Sequence, residues 1–345
     1  MYASRRVWQL LPLPLALRIA VVSVMALAFV TFFVVMTSLT DKLPMAVSTF
    51  LYETGTSWLI ILLYLVMLFL ALDLGSLAHV VPKSFLHHSV AGSLAIVASM
   101  TLLFTYAYLH YDDKRRVELT ADTGKTLSKP MKLVVVSDIH LGYHNRRSDL
   151  HRWLELIRRE RPDALLIAGD LVDRSIRPVR DDRMAAEFRQ LPFPVYAVYG
   201  NHDYYTGTGT VKQFCQQAGI HLLQDSVTYV QDLAIVGRDD RTNRRRRSLG
   251  DLMTDINRSK YIIELDHQPY HLEEAQRNGV DFEFAGHTHY GQVWPLNLIT
   301  RSLYEDAFGP LRKGNTRYYV SSGMGIWGAK FRIGTQSEYL VLNLK

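Results

Sequence analysis

The sequence predicts an α/β domain built on two β-sheets, preceded by an all-α membrane region of about three helices. Three observations carry that reading. Charge is segregated: of 39 Lys/Arg and 33 Asp/Glu in 345 residues, only eight and five occur up to Val117, and 31 and 28 follow it. Three long apolar stretches precede residue 111. Beyond residue 130, short apolar runs rich in β-branched residues alternate with helix-spaced segments, and most runs end in a cluster of Asp, His, Asn or Gly. Strands alternating with helices imply a mostly buried sheet, and the later strand-rich region implies a second one. A chain that is 48% hydrophobic, with one cysteine and unexceptional Gly and Pro, is not disordered, disulfide-scaffolded or collagen-like. The net charge of +6 divides evenly between the two parts, so there is no basic domain.

The predicted spans are Leu15–Leu39, with Arg18 near its start, Trp58–Val81 and Val90–His110. Each approaches or exceeds the roughly 20 residues needed to cross a hydrocarbon core of about 30 Å, and none has a polar face. A cleaved signal peptide would explain the first stretch only. Residues 1–116 are therefore read as a multi-pass membrane region and 117–345 as a separate domain. Asp73 is an acid inside a span, expected to make helix-end or interhelical hydrogen bonds. The half-apolar segment Asp41–Thr56 reads as an interfacial or re-entrant piece, or as a fourth membrane segment. Arg5 and Arg6 precede the first span, and Lys114, Arg115 and Arg116 follow the third. The positive-inside rule gives a small preference for a cytoplasmic C-terminal part, in a bacterial inner membrane.

Residues 117–130 are polar, as a linker or an opening edge strand would be. Met131–Ser137 reads as a strand running into Asp138-Ile139-His140, and Leu150–Arg159 has helical spacing. Ala164–Ala168 runs into Gly169-Asp170-Leu171-Val172-Asp173, Met184–Gln190 is helix-like, and Pro194–Tyr199 runs into Gly200-Asn201-His202-Asp203. After a helix over Val211–Gly219 come strands at Thr228–Val230, Leu233–Val236, Tyr261–Leu265 and Phe282–Ala285. The last two lead into Asp266-His267 and Gly286-His287-Thr288-His289. Open α/β sheets place their active sites at such C-terminal strand ends.

Singly, each cluster reads as a turn or a helix cap. Together they supply Asp138, His140, Asp170, Asn201, His267, His287 and His289: two carboxylates, one amide oxygen and four imidazoles, with no thiolate. That set suits Mn, Fe or Zn, with Mn favoured, whereas a Mg or Ca site would be mainly oxygen. Seven donors are too many for one ion with an open position. They fit two divalent ions about 3.5–4 Å apart that share a bridging carboxylate. Such a pair acidifies a bridging water and neutralises phosphoryl charge, as phosphoester hydrolysis requires. His202 is the spare imidazole, placed to protonate the leaving oxygen, with Asp203 beside it to tune or orient the ring.

These motifs, in this order and approximate spacing from Met131 to the C-terminus, resemble the calcineurin-like metallophosphoesterases. The apolar spans and the GHTHYGQ segment look like the transmembrane branch similar to YkuE and YaeI, which includes enzymes acting on UDP-2,3-diacylglucosamine in lipid A biosynthesis. The resemblance implies a four-layer sandwich of two mixed β-sheets flanked by helices. It assigns Asp138, His140 and His289 to one metal and Asn201, His267 and His287 to the other. Asp170 would bridge the two, and His202 would act on the phosphate. Tyr290 stands where the branch commonly has Gly, so it would narrow the site or offer a stacking surface. The implied activity is a membrane-anchored, binuclear-metal phosphohydrolase acting on a phosphoester or diphosphate bond, in a phosphorylated small molecule or a lipid-linked substrate. Its alternatives are a general phosphodiesterase or phosphatase of nucleotides or cell-envelope polymers, and a non-catalytic scaffold of the same fold. Membrane lipids are expected partners and nucleic acid is not, since the domain's charge is nearly balanced. The oligomeric state stays open.

Two further features stand out. Arg238, Arg241 and Arg244–Arg247 put six arginines in ten residues, as a phosphate clamp, a contact with anionic lipid headgroups, or a solvated loop. Ser321–Gly325, with Trp327 and Arg332 beyond it, reads as a glycine-rich loop that either lines the site or merely turns the chain.

Overall fold

The computed structural model describes residues 1–345 except Thr126, in two compact units: Met1–Leu109 with Gly328–Phe331, and His110–Trp327 with Arg332–Lys345. The first unit contains α1 (Tyr2–Leu10), α2 (Leu15–Val35), α3 (Met45–Leu77), α4 (Lys83–Leu86) and most of α5 (Val90–Asp112). Helices α2, α3 and α5 are long and apolar enough to cross a membrane. Their surfaces carry exposed leucines such as Leu27, Leu74 and Leu102, as lipid-facing helices do.

The segment Asp41–Thr56, expected to be an interfacial or re-entrant piece or a fourth span, is not a separate span. From Met45 it is the start of α3, whose 33 residues run unbroken to Leu77, roughly 50 Å at 1.5 Å per residue. No Pro or sequence-local cap interrupts the apolar pattern after Pro44, which is the N-cap. Asp73 makes the expected interhelical contacts: Tyr2 Oη donates to it at 2.6 Å, and the Arg6 guanidinium pairs with it.

The second unit opens with β1 (Arg115–Ala121), β2 (Met131–Val136), α6 (Arg147–Glu160), β3 (Ala164–Ala168), α7 (Arg177–Asp181), α8 (Ala185–Arg189) and β4 (Val195–Val198). There follow α9 (Asn201–Thr206), α10 (Thr208–Ala218), β5 (Ile220–Leu222), β6 (Ser226–Val230), β7 (Leu233–Gly237), α11 (Leu249–Leu252) and β8 (Tyr261–Leu265). It closes with α12 (Glu273–Asn278), β9 (Phe282–Ala285), α13 (Leu296–Leu303), β10 (Gly309–Lys313), β11 (Thr316–Val320) and β12 (Glu338–Leu344).

The strands form two mixed six-stranded sheets, ordered β1-β12-β2-β3-β4-β5 and β10-β11-β9-β8-β7-β6. Strands β2 to β5 are parallel, as are β7, β8, β9 and β11. Of the two readings of the polar segment after residue 116, linker or opening edge strand, its first part is the edge strand: β1 begins at Arg115 and pairs in parallel with β12.

Side chains alternate across a strand, and this alternation builds the layers. Leu133 and Val135 of β2 join Leu166, Ile235, Ile263 and Phe284 in the core between the sheets. Val134 and Val136 turn the other way, onto Leu150, Trp153 and Ile157 of α6. On the far face of the second sheet, Ala234, Val236 and Ile262 pack on Leu249 and Leu252 of α11 and Ala275 of α12. The order is helices, sheet, sheet, helices: the four-layer sandwich that the motifs imply.

Candidate metal centre and active site

Asp138 and His140 follow β2, Asp170 follows β3, and Asn201 opens α9 after β4. His267 follows β8, and His287 and His289 follow β9. Within each sheet these strands are parallel neighbours, so their C-terminal loops emerge on one edge. Five of the donors have left-handed backbones: Asp138 (φ 55°), His140 (48°), Asp170 (51°), His287 (68°) and His289 (46°). Such conformations are uncommon away from glycine and gather at functional sites, held by their surroundings. The motif glycines allow the loops to close: a Cβ on Gly200 would stand 2.2 Å from Asp170 Oδ1, and one on Gly286 would stand 2.3 Å from Asp138 Oδ2.

The donors assemble in two groups, one of Asp138, His140 and His289 and one of Asp170, His267 and His287, linked by a third overlapping triad of His140, Asp170 and His202. In the first, His289 Nε2 is 3.1 Å from His140 Nε2 and 3.5 Å from Asp138 Oδ1, with His140 Nε2 3.5 Å from Asp170 Oδ2. In the second, His267 Nε2 lies 3.2 Å from Asp170 Oδ2 and 3.2 Å from Asn201 Oδ1, and His287 completes the cluster. Atoms that share one ion at about 2.1 Å stand roughly 3.0–3.4 Å apart. Three of these separations fall in that range, two are 3.5 Å, and His140 Nε2 is 3.8 Å from Asp138 Oδ1, so a small inward shift would close the shell. The side chains of Asp138, His140 and His267 are 0% exposed, so their lone pairs converge where water does not neutralise them. The residues therefore fit two divalent ions. The Ala168 carbonyl accepts from His267 Nδ1 at 2.8 Å, which fixes the ring and leaves Nε2 for a metal.

Without a cation the cluster divides its charge unevenly. Burial works against ionising Asp138 and Asp170, but the surrounding imidazoles hold both carboxyls well below the usual carboxylate range. Burial likewise opposes a charge on His140, yet Asp138, Asp173 and Asp170 push its pKa up to about 10, and Asp170 raises His267. Burial and neighbouring histidines push His287 down to about 4 and His289 down to about 3. Protons and metals compete for the same lone pairs in such a site.

His202 stands beside this cluster, its ring edge-on to His140 at 4.6 Å and flanked by Tyr205 and Trp327. Its partner is not Asp203. The sequence expectation fails there because consecutive residues of α9 point about 100° apart. The Asp203 carboxylate turns inward and accepts from the backbone N–H groups of Gly200 (2.9 Å), Val172 (2.9 Å) and Leu171 (3.3 Å), tying the β4 loop to the β3 loop. Burial and nearby Asp170 push its pKa up to about 7.

Asp173 takes the orienting role, with Oδ1 2.7 Å from His202 Nδ1 and 3.7 Å from His140 Nδ1. Its carboxyl is held well below the usual range because the neighbouring His140 and His202 imidazoles outweigh burial. Asp173 closes the Gly169–Asp173 motif, where residue type alone assigns it no role. Its place three positions after Asp170 was the available signal.

Arg332 is fully buried and donates to the carbonyls of His289 and Ser322, both at 2.5 Å. Gly325 N donates to the Asp138 carbonyl at 3.0 Å. The Ser321–Gly325 loop and Arg332 thus brace the donor loops. Tyr290 stacks on Phe308, with ring centroids 4.7 Å apart.

A sequence profile of calcineurin-like phosphoesterases matches residues 131–291. An uncharacterized metallophosphoesterase of Helicobacter pylori is 29% identical over 63% of this chain and 60% of its own length. A transmembrane protein with metallophosphoesterase domain from Danio rerio is 31% identical over 62% and 53%, and the Bacillus subtilis metallophosphoesterase YkuE 26% over 74% and 94%. The chain thus spans about three fifths of the Helicobacter relative. Among solved structures, Haemophilus influenzae NAD nucleotidase is similar with a TM-score of 0.39 at 17% identity, over 58% of this chain and 46% of that one.

Proposed function

Residues 131–291 being a calcineurin-like metallophosphoesterase domain, we propose that this chain is a membrane-anchored, metal-dependent phosphohydrolase. The observation that carries the reading is the pair of donor groups linked through His140 and Asp170, with His202 held beside them by Asp173. Asp138, His140 and His289 would hold one ion, Asn201, His267 and His287 the other, and Asp170 both. Two divalent ions there, with manganese favoured, supply Lewis-acid neutralisation of phosphoryl charge and an acidified water as nucleophile. With Nδ1 bound to Asp173, His202 has Nε2 left to meet the leaving oxygen. As that P–O bond breaks, Nε2–H gives the oxygen its proton, and Asp173 keeps the ring aligned. The braced loops and left-handed backbones hold the donors in place before substrate arrives, so little reorganisation remains for the reaction.

The favoured substrate is lipid-linked, carrying a phosphodiester or diphosphate, with UDP-2,3-diacylglucosamine as its most specific version. Two features support this. Three helices are apolar enough to span a bilayer. Among the described residues of the second unit, the exposed large aliphatic side chains are Leu298 (53%), Ile299 (56%) and Leu303 (67%) of α13, with Trp294 just before them. An apolar surface confined to one short helix is the pattern of an element that meets lipid. The small excess of basic residues after the third span favours a cytoplasmic site.

The test uses full-length protein in detergent, stripped of metal and reloaded with Mn²⁺, Fe²⁺ or Zn²⁺. It is offered UDP-2,3-diacylglucosamine beside a simple diester and a simple monoester, with Asp170→Asn as blank. Preferred cleavage of the lipid nucleotide is expected. Turnover of simple esters alone would replace the lipid substrate with a nucleotide or envelope-polymer one, and no turnover with any metal would overturn the hydrolase reading.

A further inference from the structure

The arginine-rich segment is solvated at Arg244, Arg245 and Arg247 but ordered on its inner side. Asp239 and Asp240, both 0% exposed, organise it from beneath. Asp239 Oδ2 accepts from Asn243 Nδ2 at 2.8 Å and from Gln224 Nε2 at 2.9 Å, and both its oxygens accept from Tyr204 Oη at 2.8 Å. Asp240 accepts from Thr242 N at 2.8 Å and from Gln268 Nε2 at 2.9 Å. Buried carboxylates spent on turning a loop imply that what the loop presents has a fixed place.

It presents a cavity of about 520 Å³ lined by Arg238, Arg241, Arg244, Arg246 and Arg247, together with Glu274. Two of these guanidinium groups are neutralised by the wall. Arg238 lies 2.9 Å from Glu274 and 3.5 Å from Glu264, and Arg246 lies 3.0 Å from Asp266. The other three have no carboxylate within 4.0 Å among the described residues. Arg241 is laid over the Tyr270 ring at 4.8 Å, with its Nη1 buried and without a hydrogen-bond partner. Arg247 reaches only the Asp251 carbonyl, at 3.3 Å, and Arg244 is exposed and unpaired. None of the seven metal donors lines this cavity.

We propose that this cavity is an anion site, separate from the metal cluster, that takes a phosphate-bearing ligand through Arg241, Arg244 and Arg247. Forked, permanently charged guanidinium groups match phosphoryl oxygens in pairs, and the volume lies within the roughly 300–1,000 Å³ usual for small-ligand sites. The ligand is a diphosphate or phosphate monoester, either soluble or the headgroup of an anionic lipid. The inference does not depend on the hydrolytic reading.

The experiment titrates inorganic pyrophosphate into the full chain, reconstituted in zwitterionic nanodiscs and stripped of divalent ions so that the metal cluster contributes no affinity. Calorimetry is expected to give saturable, salt-sensitive binding. Arg241→Gln with Arg244→Gln should weaken it at least tenfold, and Arg244→Gln alone measurably. Because Arg244 is exposed and unpaired, its single variant reports on binding even where the double variant is unstable. Absence of binding, or equal binding by wild type and both arginine variants, would overturn the site. Repeating the titration in nanodiscs containing phosphatidylglycerol identifies the source. Competition in the wild type that is absent from the double variant means a lipid headgroup, and unaltered affinity means a soluble phosphate.

Discussion

The two units of this chain treat interior charge in opposite ways. In the first, Asp73 sits on an apolar helix and is answered by protein groups, the Arg6 guanidinium and the Tyr2 hydroxyl. In the second, Asp138, Asp170 and four imidazoles face one another deep in the domain, and no Lys or Arg pairs with either carboxylate among the described residues. An isolated charge in low dielectric is expensive, so each arrangement must find its counter-charge somewhere. Asp73 finds it in the chain. The Asp/His cluster finds it in its own imidazoles, whose lone pairs could instead bind metal ions.

The largest expected effect comes from removing the carboxylate proposed to be common to both ion positions. Asp170→Asn should reduce phosphoester hydrolysis to the blank and lower the bound divalent ions per chain, read by elemental analysis after gel filtration. Two retained ions and an undiminished rate would dissolve the contrast between the units.

Next is the proton donor. His202→Ala and Asp173→Asn should both keep metal while lowering kcat by about 10²–10⁴-fold on a diester with an alkoxide leaving group. The loss should be much smaller with a p-nitrophenolate leaving group, which departs without a proton. Equal losses on both substrates would leave His202 with an electrostatic role only.

A smaller effect separates bracing from chemistry. Asp203→Ala leaves three buried backbone N–H groups without their acceptor, at a cost of about 1–3 kcal/mol. Denaturant unfolding should detect this loss. If stability is unchanged while kcat falls as far as in Asp173→Asn, Asp203 acts in the reaction after all.

The smallest change is expected where the protein supplies its own counter-charge. Asp73→Asn keeps a hydrogen-bond acceptor for Tyr2 and Arg6, and the pair is partly exposed, so a loss of about 0.2–1 kcal/mol should appear as a small shift of the detergent melting midpoint. A collapse of the membrane unit in this variant would mean that Asp73 holds more than α1.

Much of this was legible in sequence, for reasons that differ by region. The apolar spans were readable because crossing a bilayer demands a one-dimensional property, a run without charge. The segment before Trp58 was misread because local composition does not reveal that α3 continues through it without a break. The donors were readable because their residue types sit directly after recognisable β-rich runs. By contrast β12, fully paired between β1 and β2, was not read at all, since the partners that make it a central strand lie more than 200 residues earlier.

By itself, then, the sequence determined which residue types of ligating chemistry follow the strands, where the chain is apolar enough for lipid, and that two sheets follow. These are matters of residue type and local period. Only the tertiary structure decided direction. It turned Asp203 away from its neighbour His202 and brought Asp173 to it instead. It also divided the arginine run into residues answered by Glu264, Asp266 and Glu274 and residues left facing a cavity. The physical reason is that a partner is chosen by where a side chain points after folding, and adjacency along the chain does not fix that.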